Sequence, residues 1–151
     1  MSGNKTLLQI MSEPKKQYRP WLYEVETLHS IINTEVFDGQ LNLPKIQLKR
    51  EADIGTDFGW CEGFHEFETF DPERGQSLCI IGLVNTWTCI QSCVTILAHE
   101  MIHQWQWDVY SFQRHKDRKP YILSHGPTFW QFKPKLASFG IPLHRVYPPT
   151  L

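Results

Sequence analysis

Five consecutive residues, His99-Glu100-Met101-Ile102-His103, set an H-E-x-x-H pattern inside a stretch with helical hydrophobic periodicity. At about 100° per residue, Ile90, Val94, Leu97, Ala98, Met101, Trp105 and Val109 fall on one stripe, which predicts a helix over 88–110. Residues four apart on a helix share a face, so His99 and His103 can each direct a ring nitrogen at one metal ion. Both lie roughly opposite the apolar stripe, which predicts that they face an open cleft. Glu100, beside them, is placed to act as a base rather than as a ligand.

Two histidines do not complete a catalytic zinc site, which takes three protein donors and leaves a fourth position open. No glutamate follows Glu100, so a glutamate on a later helix is excluded. The pattern H-E-x-x-H-x-x-G-x-x-H also fails, because Gln106 and Val109 stand at its glycine and last histidine. Asp108, His115, Asp117, His125 and His144 remain. Asp108 is too close along the same helix to swing back, and His115 and Asp117 sit in a charged run that reads as a solvated loop. His125 precedes Gly126 and Pro127, and proline in the first helical position is a start signal. Phe129, Phe132, Leu136 and Phe139 then recur at helical spacing, predicting a helix to 139 that holds His125 at its mouth, with Pro134 bending it on the solvent side. His125 is the third ligand on this reading; its alternative is a helix-capping histidine bonded to backbone.

Three stretches resemble the SprT-like zinc metallopeptidase family: 97–104 (LAHEMIHQ), 124–130 (SHGPTFW) and 33–44 (NTEVFDGQLNLP). The second is the most discriminating, since the family places its third zinc histidine before Gly-Pro-x-aromatic. The resemblance runs from about Tyr18 to Ile141. It implies a zincin-like α+β domain with one zinc per chain, His99, His103 and His125 as ligands and Glu100 as general base in peptide-bond hydrolysis. The family includes a DNA-protein crosslink protease, so proteins bound to or crosslinked with DNA are the implied substrates.

The order helix, strands, motif helix, ligand helix argues independently for α+β, a small sheet laid on the H-E-x-x-H helix with flanking helices. Residues 1–17 read as a flexible polar tail and 18–151 as one domain. Pro20 opens a first helix with Trp21, Val25, Leu28, Ile32 and Val36 inward, closed at Asp38-Gly39. Strands are expected around Ile46 and Leu48, over 56–64, and over 78–83 after a turn at 71–75; the last could present an edge for a substrate strand. Cys61, Cys79, Cys89 and Cys93 form no C-x-x-C pair and are read as reduced structural thiols. The apolar run at 7–11 is too short for a secretory segment and no stretch could span a membrane, so an intracellular protein is expected.

Net charge is −1, but residues 1–100 hold 8 basic and 14 acidic groups whereas residues 101–151 hold 7 and 2. Arg114, Lys116, Arg118, Lys119, Lys133 and Lys135, with Arg145, could therefore offer a phosphate-facing surface for DNA. The alternative is an ordinary solvated surface. For function as a whole, the competing class is a non-proteolytic zinc module that binds nucleic acid or protein, in which a fourth ligand such as His144 closes the site.

Overall fold

A computed structural model describes residues 5–50, 59–63, 77, 79–111 and 125–148 of the chain; for 60–63 and 111 only the backbone is considered. Residues 114–119, and with them the loop cations Arg114, Lys116, Arg118 and Lys119, lie outside the described residues, as does the turn at 71–75.

The described residues open with a short helix where the sequence suggested a loose tail. Helix α1 spans Leu7–Met11. Thr6 caps it, accepting from Gln9 N at 3.2 Å while the Gln9 side chain accepts from Thr6 N at 2.8 Å. Leu7 N is taken up by Glu35 Oε2 at 2.7 Å, and Leu7 and Ile10 enter the core. Two apolar residues one turn apart, with their exposed amides satisfied, suffice to dock so short a helix.

Helix α2, Leu22–Val36, buries Val25, Leu28, Ile32 and Val36 as its periodicity predicts. Trp21 is the exception: it sits at the N-cap and is 71% exposed. The helix ends in a turn with positive φ at Asp38 (54°) and Gly39 (72°), a region that suits glycine. Asn33 secures the return, donating to Leu41 O at 2.8 Å and accepting from Leu41 N at 3.0 Å.

Three strands form a mixed sheet in the order β1-β3-β2: β1 Lys45–Lys49, β2 Gly59–Gly63 and β3 Cys79–Val84. β1 runs parallel to β3 and β2 antiparallel to it. β3 is thus the central strand, flanked on both sides, and offers no edge for a substrate strand, contrary to the sequence expectation. Its burial explains the near-continuous apolar run that marked it. Gly59 lets β2 close in: a Cβ there would come within 3.0 Å of Gly82 O, Ile96 Cγ2 and Leu83 Cδ2.

Helix α3, Ile90–Trp105, lies against the sheet and continues as a π-helical turn, Gln106–Ser111. It is buried on nearly every side, with Leu97, Ala98, Met101 and Ile102 inaccessible to solvent. Leu97, Met101 and Ile102 each contribute about 1.5–3 kcal/mol through burial. Cys79, Cys89 and Cys93 are buried and outside any disulfide, consistent with packing thiols; the Cys61 side chain is not among those described.

The expected last helix is two: α4, Pro127–Trp130, and α5, Lys133–Ala137. Pro134 stands in the first turn of α5, so it starts a new helix instead of bending an old one. Phe129 and Leu136 are fully buried. Helices and a small mixed sheet around one apolar core make this a small mixed α/β arrangement compatible with α+β. No helix among the described residues is long and apolar enough to cross a membrane.

Candidate metal centre

His99 and His103, one turn apart on α3, meet His125, which stands two residues ahead of α4. The three rings lie 5.1–5.3 Å apart between centroids, and one ligand atom from each falls within 4.8 Å of the other two. Among the described residues no fourth histidine, cysteine or carboxylate joins this cluster.

The nitrogen spacing tests whether a metal fits. His125 Nε2 and His99 Nε2 are 3.4 Å apart. Two donors each about 2.0–2.1 Å from one tetrahedral ion would be separated by about 3.3–3.4 Å. A ring-to-ring hydrogen bond at this length would be weak, so the spacing suits a shared ion better than a direct bond.

Phe129 forms the floor of the site. Its ring lies 4.9 Å from His99, 5.2 Å from His103 in a stacked arrangement and 4.7 Å from His125. The turn of α4 that follows His125 brings the Phe129 ring back against it. Tyr147 covers His99 from another direction, at 5.6 Å. Of the two histidines expected to face an open cleft, His99 is only 7% exposed and His103 is half-buried, and Glu100 beside them is also only 7% exposed. The segment around Ile141–Tyr147, whose Ile141, Leu143 and Tyr147 pack into the core, covers that face of α3.

Burial sets the protonation of the triad. Loss of solvent pulls His99 down to about 3, with His103 and His125 adding repulsion against a proton. His103 is lowered by burial and by His125, although its bond to Gln106 opposes this. His125 is lowered by burial and by the nearby Arg145 charge. All three are therefore neutral at neutral pH, with ring lone pairs available to a metal.

The tautomers follow from the neighbours. Gln106 donates from Nε2 to Thr128 Oγ1 at 2.9 Å, which turns its Oε1 to His103 Nδ1 at 2.8 Å. His103 therefore carries its proton on Nδ1 and keeps the Nε2 lone pair free. The π-helical turn that begins at Gln106 sets this bridge between α3 and α4, a common use of such turns at functional sites. For His99, the main-chain carbonyl of His144 faces the ring and favours a proton on it, but outside hydrogen-bond geometry, so buried Nδ1 has no partner among the described residues. His125 has no carboxylate contact among the described residues, in keeping with the scarcity of acids in this half of the chain.

Of the other ligand candidates, His115 and Asp117 fall outside the described residues, and the rest lie away from the cluster. His144 is exposed, with its ring against Tyr147, outside the cluster. Asp108 is buried in a network with Ser77 and Gln104, and Gln104 also meets His29. Lys135 pairs with Asp38 at 3.6 Å, and Lys133 stands 5.6 Å over the Trp130 ring. Neither lysine joins the histidine cluster. Gln106, Thr128 and Tyr147 were not singled out from sequence as parts of a site. Gln106 lies one turn beyond His103, and that spacing is a usable signal; nothing local marks Tyr147, which arrives by tertiary packing.

No protein-family model matches the chain, and no curated protein matches it.

Proposed function

We propose that the chain is a zinc-dependent metallopeptidase of a zincin-like, SprT-like kind, acting on protein substrates. The observation that carries this reading is the neutral triad of His99, His103 and His125, two of whose ring nitrogens already stand at the spacing of a tetrahedral edge, with Glu100 next to His99 on the same helix. Three nitrogen donors and no fourth ligand among the described residues match a catalytic zinc site better than a closed structural one. When bound, zinc would supply a water with its pKa lowered to about 7 and would polarise the scissile carbonyl.

The chain's own groups do the rest. The Glu100 carboxylate takes up a proton and returns it to the leaving amine, in a site dry enough to strengthen every charge interaction. Gln106 holds the His103 ring by its Nδ1 proton. Tyr147 donates to Pro142 O and accepts from His144 N, both at 3.0 Å, and so fixes the segment that covers His99. Burial and the nearby Glu100 charge raise the Tyr147 phenol to about 12, so it remains a neutral donor at neutral pH.

The SprT-like motifs and the basic balance of residues 101–151 support DNA-bound or DNA-crosslinked proteins as the substrate class. Glu100→Gln tests the chemistry: the variant should keep about one zinc per chain by elemental analysis while hydrolysis of labelled casein and of DNA-bound protein falls by about 10² to 10⁴. Hydrolysis at the wild-type rate in this variant would refute the assignment. A wild-type protein that binds zinc but cleaves neither substrate would instead support the non-proteolytic zinc module.

A further inference from the structure

A cavity of about 380 Å³ opens between the N-terminal segment, the start of α2 and the first turn of α3. Its floor is aliphatic, formed by Ile10, Leu28, Ile31 and Ile90, and Tyr18 and Tyr23 make its walls. The size falls within the range of about 300–1,000 Å³ typical of ligand sites. None of these residues belongs to the histidine cluster. Ile90 precedes His99 by nine residues on α3, about 13.5 Å of helical rise.

The cavity is built on a rigid frame. Tyr18 and Trp87 exchange backbone hydrogen bonds of 3.0 and 2.9 Å, which pins the wall to the start of α3. The Tyr18 hydroxyl makes no hydrogen bond among the described residues, leaving a donor for a ligand carbonyl. Beside the opening, Trp21, Leu22 and Tyr23 are 71%, 45% and 66% exposed. Three large apolar side chains in succession facing water mark an interaction surface, and tryptophan and tyrosine, with arginine, dominate protein-binding hot spots.

Charge selects the kind of partner. Lys15, Lys16 and Arg19 are exposed and form no ion pair among the described residues. Among the charged residues lining the cavity, Glu13 pairs with Lys5 at 2.8 Å, and Glu24, which accepts from Trp21 N at 2.9 Å and keeps its charge, offsets Lys16. Lys15 and Arg19, exposed and flanking the lining segment, leave an excess of positive charge beside the cavity.

We infer that this cavity is a docking site for a peptide segment of a partner protein, with one large apolar side chain in the cavity and flanking acidic residues on Lys15, Lys16 and Arg19. The aliphatic floor takes the side chain and excludes water, Tyr18 donates to the peptide backbone, and the cations set charge preference. The site requires no metal and stands apart from the proposed hydrolysis.

Fluorescence anisotropy with labelled octapeptides tests it directly. Each peptide carries one central Ala, Leu or Phe among Asp and Glu, with a matched set of Lys-flanked peptides and a labelled 15-mer of deoxythymidine. The Leu or Phe acidic peptides should bind at least about tenfold more tightly than the Ala peptide, the difference expected for burying one such side chain. They should also outbind the Lys-flanked set and weaken with added salt. Thr27→Phe, made at an exposed α2 position that lines the cavity, should fill it and abolish the preference for Leu or Phe. Lys16→Glu should weaken the acidic peptides without changing the unfolding midpoint. Equal binding of the Ala and Phe peptides, no binding of any peptide, or an unaffected Thr27→Phe variant overturns the inference. So does tighter binding of the deoxythymidine 15-mer that is lost in Trp21→Ala, which would make the surface a single-strand stacking platform. Because binding is read without hydrolysis, an inactive protein that still selects these peptides leaves the docking site intact.

Discussion

Replacing Gln106 with leucine tests the link between the hydrogen-bond network and the triad. Gln106 is wholly buried and bridges His103 Nδ1 to Thr128 Oγ1 through bonds of 2.8 and 2.9 Å. Leucine occupies similar space but removes both bonds. The His103 ring then loses the acceptor that fixes its orientation and tautomer, and its buried N–H is left without compensation, at a cost of about 1–3 kcal/mol. Loss of such a support typically weakens metal binding by about 10- to 100-fold, equivalent to about 1.4–2.7 kcal/mol. Competition titration against a zinc chelator at pH 7.5 measures this. Gln106→Glu is the control: its carboxylate still accepts from His103 Nδ1, and the Thr128 hydroxyl can turn to donate to it. The glutamate variant should therefore hold zinc at least as tightly as the wild type. Wild-type zinc affinity in Gln106→Leu, or equal weakening in both variants, would refute the argument, the second by showing that repacking rather than ring orientation matters.

Two further predictions use the same site. His125→Ala should lose most of the bound zinc by elemental analysis, and unchanged content would move the third ligand elsewhere. In the metal-free protein, unfolding free energy should fall as pH drops below about 6.5, since the unfolded histidines gain protons that buried His99 refuses down to about 3. Each depressed group contributes stability that is complete above its unfolded pKa and declines below it, by up to about 1.4 kcal/mol per pH unit for His99. Urea titrations between pH 7.5 and 5 should therefore slope downward with acid, and His99→Phe should flatten that slope; a pH-independent wild type contradicts the burial argument.

Local periodicity made α2 and α3 legible, because both are long enough for a 3.6-residue repeat to stand out, and β3 showed itself by an apolar run too short for a helix. The triad was legible for a related reason: two of its members are fixed by one helical turn, and the third is announced by Pro127. Sequence was a poorer guide where tertiary packing decides. Residues 5–17 look polar, yet Leu7 and Ile10 dock α1 into the core. Pro134 reads as a bend in one helix until the break after α4 is seen. Trp21 belongs to the inner stripe of α2 by spacing, but it precedes the first helical residue, where the chain has not yet taken the helical direction. The position of β3 within the sheet could not be read from β3 itself, since both of its neighbours precede it in the chain.

The error about exposure shows most about how the site works. An apolar stripe opposite two histidines suggests a helix lying half in water, but α3 is buried on nearly all sides and the face carrying His99 is covered by Phe129 and Tyr147. That cover is what depresses the imidazoles, because the charged form loses most when solvent is removed. In water a histidine is partly protonated near pH 6.5 and competes for its own lone pair. Against Phe129 all three rings stay neutral across the physiological range, so the donors are ready without a charge partner to deprotonate them. On the proposed reading, the same cover restricts how a substrate could reach His99, and the exposed Arg145 lies near enough to His125 to add to its depression. Burial is the larger cause of the His125 depression and the Arg145 charge adds to it, so the third donor is kept free of a proton by its packing with help from one exposed side chain.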